Sequence, residues 1–62
     1  MKRQWLIDLR KEKGLLQKEV AKLSDVSQQT YSYIELGQRG VKPIIAKRIA
    51  KVLKFNWTKF YE

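Results

Sequence analysis

With 62 residues the chain can form one small domain. Its hydrophobic core is only just large enough for the domain to fold on its own. It contains no cysteine and no histidine, which excludes disulfides, thiolate chemistry and the usual zinc sites. Fourteen lysines and arginines against six acidic residues give a formal net charge of +8, which favours a polyanionic partner such as DNA, RNA or an acidic membrane surface.

The first predicted helix covers residues 3–13. Apolar side chains gather on one side of it, and Gly14 follows as a stop signal; these side chains are Trp5, Leu6 and Leu9. Arg10 lies on the turn beside two of them, close to the side expected to be buried. From the spacing alone, a solvated arginine is the commoner outcome at such a position.

A pair of short helices joined by a tight turn forms the centre of the chain. The first is predicted over Gln17–Leu23, and the turn runs through Ser24, Asp25 and Val26. Leu16 occupies the N-cap position without a side-chain acceptor, an omission that should cost about 0.5–2 kcal/mol relative to Ser, Thr or Asn. Asp25 occupies the centre of the turn, where a left-handed backbone would suit glycine best.

The second helix of the pair follows the cap residue Ser27 and is uncharged over most of its length. Glu35 closes it, and Gly37 provides a left-handed stop. The side chains expected to point outward are Gln28, Gln29, Ser32 and Tyr33. Glutamine presents a donor and an acceptor side by side, which matches N6 and N7 of adenine in the major groove. The pattern therefore indicates that this helix reads base edges while lysines and arginines elsewhere hold phosphates.

The rest of the chain is predicted to contain a loop, a helix and a short final turn. The loop 38–42 has two basic residues and a glycine that frees backbone amides for an anion. Pro43 begins an amphipathic helix with its apolar side at Ala46, Ile49, Ala50 and Leu53. Asn56 caps a last turn over 57–60. We predict an all-α fold in one domain over residues 1–62, a compact bundle of five short helices in which helices 2 and 3 form a helix-turn-helix.

Several segments of the sequence together form a specific pattern, although each alone would be weak. They are Leu6-x-x-Leu9-Arg10-x-x-x-Gly14-Leu15-x-Gln17, Glu19-Val20-Ala21, the stretch 26–37, the stretch 46–53 and Trp57-x-x-Phe60. On these residues the chain resembles the Xre, Cro and CI-type family of phage and bacterial helix-turn-helix regulators, also called lambda-repressor-like DNA-binding domains. The resemblance covers nearly the whole chain.

The resemblance implies a set of DNA contacts. Base reading falls to residues on the third helix, namely Gln28, Gln29, Ser32 and Tyr33, and a Gln-Gln pair occupies the same place in phage repressors of this type. The start of the second helix and the loop after Gly37 are expected to follow the DNA backbone. We therefore predict phosphate contacts from Gln17, Lys18, Thr30, Gln38, Arg39 and Lys42.

Two further roles follow from the resemblance. Arg10 and Glu35 occupy positions that often form a partly buried ion pair between the first and third helices. Phe55, Trp57 and Phe60 fall in the segment that often contributes to a two-fold dimer contact. Larger members of the family add a C-terminal oligomerisation or sensor domain, for which this chain has no room. That favours a Cro-sized regulator acting as a homodimer that is weak in solution.

The chain departs from the family pattern at three positions. Leu16 replaces the usual small polar cap, which removes a side-chain contact to phosphate. Asp25 and Lys54 stand where glycine is common, which should cost some stability. Asp25 would also place a negative charge near DNA.

The expected function is sequence-specific binding of double-stranded DNA by a transcriptional regulator, most simply a repressor that occupies a palindromic operator. Two alternatives stay open: a protein-interaction module of the same fold that modulates a partner regulator, and a basic RNA-binding protein. Neither a cofactor nor a metal nor a small-molecule ligand is expected. Enzymatic activity is not expected either, because the sequence offers no pair of convergent carboxylates and no phosphate-cradling glycine loop.

The sequence also predicts the location of the protein. Nothing in it resembles a secretion signal, and no apolar run approaches membrane-spanning length. We therefore expect a cytoplasmic protein with no membrane partner. The resemblance implies that it is bacterial or phage-encoded and nucleoid-associated when bound to DNA.

Overall fold

The computed structural model describes residues 1–62 and contains four α-helices followed by a 3-10 helix. The α-helices are α1 (Gln4–Glu12), α2 (Gln17–Leu23), α3 (Gln28–Leu36) and α4 (Pro43–Leu53), and the 3-10 helix spans Trp57–Tyr61. The predicted all-α class is confirmed, with the difference that the fifth helix is not α-helical. The 3-10 hydrogen-bond pattern, which joins residues three apart, suits a run of only five residues. None of the helices is both long and apolar enough to cross a membrane.

The hydrophobic core draws on all five helices. Its members are Leu6, Val20, Ala21, Tyr31, Ile34, Val41, Ala46, Ile49, Leu53 and Phe60. The four positions predicted to form the apolar side of α4 are all buried, so the helical periodicity of that segment is confirmed. Burying a large side chain contributes about 1.5–3 kcal/mol, and in so small a domain each of these residues matters to the fold.

The ends of α3 are set by its own sequence. At its start, the Ser27 hydroxyl oxygen accepts a hydrogen bond from the Thr30 backbone N–H at 3.0 Å. At its end, Gly37 adopts the left-handed conformation with φ 71°. A Cβ atom at Gly37 would also collide with the Met1 carbonyl oxygen. Gly37 therefore ends α3 and allows the backbone of the N-terminal segment to pack closely against it.

The start of α2 lacks a capping side chain, as the sequence predicts, because Leu16 has no acceptor to offer. The other half of a capping exchange is present. Glu19 Oε1 accepts a hydrogen bond from the Leu16 backbone N–H at 2.8 Å. The helix start therefore keeps one of the two reciprocal bonds and a negative charge near its positive end.

Two residues other than glycine adopt a left-handed backbone. Asp25 has φ 59° in the turn between α2 and α3, and Lys54 has φ 58° after the end of α4. These are two of the positions at which the sequence departs from the family pattern. The fold thus requires the conformation that glycine would adopt most easily at both places.

Candidate nucleic-acid interface

The outer face of α3 presents uncharged hydrogen-bonding groups. Gln28 and Gln29 are exposed at the start of the helix, and Ser32 and Tyr33 follow on partly exposed positions. Thr30 is also partly exposed, and its hydroxyl accepts a hydrogen bond from the Ser27 hydroxyl at 2.9 Å. The inner face of the same helix is fully packed. The four residues predicted to read bases therefore share an accessible surface.

Three side chains of this surface form a connected group. Gln29 Nε2 donates a hydrogen bond to the Tyr33 hydroxyl at 3.2 Å. The Arg39 guanidinium lies over the Tyr33 ring, with its central carbon 4.9 Å from the ring centroid. Arg39 comes from the loop after α3, so this loop and the helix meet at Tyr33.

A hollow of about 240 Å³ lies beside this group, at the junction of α3, the loop and the start of α4. Thr30, Arg39 and Lys42, three of the residues predicted to contact phosphate, contribute to its wall. α4 begins next to it at Pro43, and the N-terminus of a helix favours negative charge. The hollow can thus hold an anion by cationic side chains and by the dipole of α4.

The other predicted phosphate contacts lie outside this hollow. Lys18 on α2 and Gln38 in the loop are exposed. Gln17 is partly buried, and its Nε2 donates a hydrogen bond to Glu35 Oε1 at 2.8 Å. Because the glutamine amide has two N–H donors, this bond leaves one of them for a phosphate. The structure thus gives Gln17 an internal contact that the sequence analysis did not foresee.

Arg10 and Glu35 form a bidentate salt bridge between α1 and α3. Arg10 Nε lies 2.6 Å from Glu35 Oε2, and a second guanidinium nitrogen of Arg10 lies 3.3 Å from Glu35 Oε1. The side chains are only 11% and 2% exposed, respectively. Arg10 also donates to the Leu15 carbonyl oxygen at 3.0 Å. The pair fixes the C-terminal end of the α3 surface against α1.

The protonation of Glu35 is set by its burial and its partners. Burial by itself would raise the pKa of the carboxyl group, but hydrogen bonds from Arg10 and Gln17 outweigh it, and the pKa of Glu35 lies below its ordinary value. The hydrogen bond to Glu35 is the main cause that raises the pKa of Arg10. Burial is the main cause that raises the pKa of the Tyr31 hydroxyl nearby. Glu35 is therefore an ionised, fully partnered carboxylate at neutral pH.

Arg3 is a residue that sequence reasoning missed. Its backbone N–H donates to the Glu35 carbonyl oxygen at 2.8 Å. One guanidinium nitrogen donates to the carbonyl oxygens of Ile34 and Arg39, at 2.7 Å and 3.3 Å. Arg3 thereby satisfies the end of α3 and anchors the backbone of the loop that carries Arg39. The two backbone carbonyl groups that accept from the Arg3 side chain lie 31 and 36 residues away in the chain, so no local sequence signal could have identified them.

The residues predicted to contact a second protomer differ in exposure. Phe60 is only 8% exposed, and its ring packs edge-on against Trp5 and Phe55 at 5.2 Å and 5.5 Å. Phe55 and Trp57 are partly buried, and Lys47 Nζ lies 4.9 Å from the Trp57 ring centroid. Phe60 therefore belongs mainly to the protomer core, whereas Phe55 and Trp57 keep accessible edges.

A larger hollow of about 480 Å³ lies between the ends of α2 and α4. Its wall is formed by Leu23, Ser24, Asp25, Arg48, Lys51 and Val52. None of these residues was predicted to contact DNA or a second protomer.

Comparisons with known proteins identify the family of this chain. A family model described as helix-turn-helix matches residues 6–60. A relative from Bacillus subtilis (strain 168), named "Uncharacterized HTH-type transcriptional regulator YqaF", is 44% identical over 62 residues, which is 100% of this chain and 82% of the relative. No solved structure matches the chain significantly. Because the family match covers α2, the turn, α3 and nearly all of the remaining fold, the chain belongs to the Xre, Cro and CI-type family of helix-turn-helix DNA-binding transcriptional regulators.

Proposed function

We propose that residues 1–62 act as a single domain that binds double-stranded DNA at a specific sequence and represses transcription by occupying an operator. The observation that carries the proposal is the uncharged, exposed start of α3 beside exposed cationic side chains. A chain with net charge +8 attracts any polyanion, so charge alone gives no selectivity. The neutral surface supplies the directional hydrogen bonds that distinguish one base pair from another.

In this proposal Gln28 and Gln29 are the main base-reading residues. Both side chains are exposed at the N-terminal end of α3, the part of a recognition helix that enters the major groove first. Each amide can pair with N6 and N7 of adenine. Ser32 and Tyr33 lie further along the same face.

The DNA backbone would be held by a rim of cations and amides around this face. Arg39, Lys42 and Thr30 surround the hollow at the start of α4, where a phosphate group would meet both the side chains and the helix dipole. Lys18 and the remaining N–H donor of Gln17 would bind the backbone from α2, and Gln38 would bind it from the loop.

We propose that two protomers pair on a palindromic operator. A two-fold dimer places its recognition helices about 34–36 Å apart, one helical turn of DNA. Phe55 and Trp57 would contribute their accessible edges to the contact, while Phe60 supports them from the core. Both side chains are partly buried, which favours a homodimer that is weak in solution and forms fully on DNA. Acting on DNA, the protein would work in the cytoplasm.

The first experiment is selection of bound sequences from a random double-stranded library, followed by titration of the selected duplexes at increasing salt. A palindromic consensus, and an affinity that falls steeply with salt, are the expected results. Salt-dependent binding without an enriched sequence would reject base reading and favour the RNA-binding alternative. Absence of binding to any duplex would favour the protein-interaction module.

The role of Gln28 can be tested against a second exposed glutamine. Gln28→Ala should weaken binding to the selected operator by about 1–3 kcal/mol and relax the preference at one base pair. Gln38→Ala is the matched control, because Gln38 is assigned to the phosphate backbone. It should weaken binding to all duplexes by a similar factor. Equal losses on all sequences from both variants would show that Gln28 does not read a base.

A further inference from the structure

Tyr33 occupies a central place among the side chains of the α3 face. It lies one helical turn after Gln29 and receives a hydrogen bond from the Gln29 amide through its hydroxyl. The Arg39 guanidinium lies over its ring. One side chain thus holds a proposed base-reading residue with its hydroxyl and a proposed phosphate-binding residue with its ring.

The bond to Tyr33 leaves the recognition chemistry of Gln29 available. A glutamine amide has two N–H donors and one carbonyl oxygen, and only one N–H is used by the Tyr33 hydroxyl. The remaining N–H and the oxygen are the pair required by adenine N7 and N6. The bond restricts the rotation of a long side chain that would otherwise lose this freedom on binding DNA.

The backbone of Arg39 is held independently of Tyr33. The Arg3 guanidinium donates to the Arg39 carbonyl oxygen at 3.3 Å and to the Ile34 carbonyl oxygen at 2.7 Å. The Gln38 backbone N–H also donates to the Tyr33 backbone carbonyl oxygen at 3.0 Å, a bond that does not depend on the Tyr33 side chain. The loop backbone is therefore anchored without the Tyr33 ring, which contacts the side chain of Arg39. Substitutions at Tyr33 can accordingly alter the direction of these side chains without releasing the loop.

We propose that Tyr33 is a positioning residue that orients Gln29 for base recognition and Arg39 for the DNA backbone, instead of reading a base pair by itself. This inference rests on the proposed function. It assigns the hydroxyl group to sequence preference and the ring to the phosphate contact. The two parts can be removed separately, because Tyr33→Phe deletes only the hydroxyl and Tyr33→Leu deletes both.

The test compares the wild type with Tyr33→Phe, Gln29→Ala and the double variant on the selected operator and its single-base-pair substitutions. Tyr33→Phe should reduce the preference by about 2- to 10-fold at the same base pair that Gln29→Ala affects. The double variant should match Gln29→Ala, because Tyr33 acts through Gln29. Gln28→Ala is the control, and its effect should add to that of Tyr33→Phe. Unfolding in urea checks that each variant is folded.

The ring is tested by the salt dependence of binding. Tyr33→Leu should make the slope of log affinity against log salt concentration shallower by about 1, the change expected for the loss of one phosphate contact. Arg39→Ala should have the same effect, whereas Tyr33→Phe should leave the slope unchanged. In the DNA-free protein, Tyr33→Phe should shift the side-chain amide signals of Gln29 in a nitrogen–proton NMR spectrum and leave those of Gln28 in place.

Several outcomes would overturn the inference while the proposed function stands. Tyr33→Phe could change the preference at a different base pair, which would make Tyr33 a direct reader. A uniform loss on all duplexes, or unchanged Gln29 amide signals, would reduce Tyr33 to a general contact or a structural residue. A wild-type chain with no preferred sequence would overturn the proposed function itself, and the inference with it.

Discussion

Glu35 illustrates how a single buried side chain joins separate parts of this protein. Its carboxylate is 2% exposed and receives hydrogen bonds from Arg10 of α1 and Gln17 of α2. A buried carboxylate without such partners would carry a large desolvation cost. The three residues therefore stabilise the fold as a unit, and Gln17 belongs to this unit as well as to the proposed DNA contact.

The lowered pKa of Glu35 predicts a loss of stability in acid. Below its ordinary pKa of 4.5 the unfolded chain binds a proton that the folded chain does not bind, so the free energy of unfolding falls as the pH falls. The contribution should be complete above about pH 4.5 and disappear as the pH drops through the lowered pKa of the folded state. Urea unfolding at pH values between about 7 and 3 measures this fall in the free energy of unfolding.

Glu35→Gln should reduce the free energy of unfolding at neutral pH by about 3–5 kcal/mol, because Arg10 is left buried without its counter-charge. In this variant the free energy of unfolding should fall less steeply as the pH is lowered. A constant concentration of a stabilising osmolyte keeps the variant folded for the comparison. The control is Glu12→Gln, which removes an exposed carboxylate. Its free energy of unfolding should fall in acid as steeply as that of the wild type. An equally steep loss in Glu35→Gln would assign the acid sensitivity to other carboxylates.

At the end of α4, a lysine adopts the left-handed backbone conformation that glycine would adopt more easily. Lys54 adopts φ 58° and ψ 62°, and the next residue, Phe55, donates its backbone N–H to the Ala50 carbonyl oxygen at 3.1 Å. This closes the helix in the manner usual for a glycine. A residue with a Cβ atom pays about 1–2 kcal/mol for the left-handed conformation.

Lys54→Gly should therefore raise the free energy of unfolding by about 0.5–1 kcal/mol, after allowance for the greater freedom of glycine in the unfolded chain. Lys51→Gly, an exposed position within α4, is the matched control and should lower it by about 1 kcal/mol. Urea unfolding of the two variants and the wild type makes the comparison. A loss of stability in both variants would mean that Lys54 makes a contact worth more than its backbone strain.

Two protomers are expected to share one palindromic site on DNA. Each protomer carries one α3 surface, and the proposed contact relies on two partly buried side chains, Phe55 and Trp57. The free energy of pairing is then supplied largely by simultaneous attachment to one duplex. We expect a monomer in dilute solution and two protomers on a palindrome.

A duplex with one half-site should therefore bind on the order of 100-fold more weakly than the full palindrome. Inserting about five base pairs between the half-sites, roughly half a helical turn, should abolish the difference because the two recognition helices would then face opposite sides of the duplex. Sedimentation and titration of the three duplexes measure stoichiometry and affinity. Equal affinity for the palindrome and the half-site would indicate a regulator that binds as independent monomers.

Several features of the fold could be predicted because they depend on residues close together in the chain. The cap at Ser27, the left-handed stop at Gly37 and the apolar periodicity of α4 are local signals, and the structure confirms them. The uncharged outer face of α3 is also readable, since helical spacing separates it from Tyr31 and Ile34. The α-helical class and the family membership follow from such patterns taken together.

The amino-acid sequence alone therefore predicts the set of helices, their ends and the uncharged face of α3. Three contacts depend on how the folded chain packs. Gln17 donates to Glu35, Arg3 anchors the loop after α3, and Arg39 lies over Tyr33. Helix boundaries depend on bonds within a few residues, whereas these contacts join groups that are far apart in the chain or on different elements. Their geometry exists only after hydrophobic packing has fixed how the helices cross.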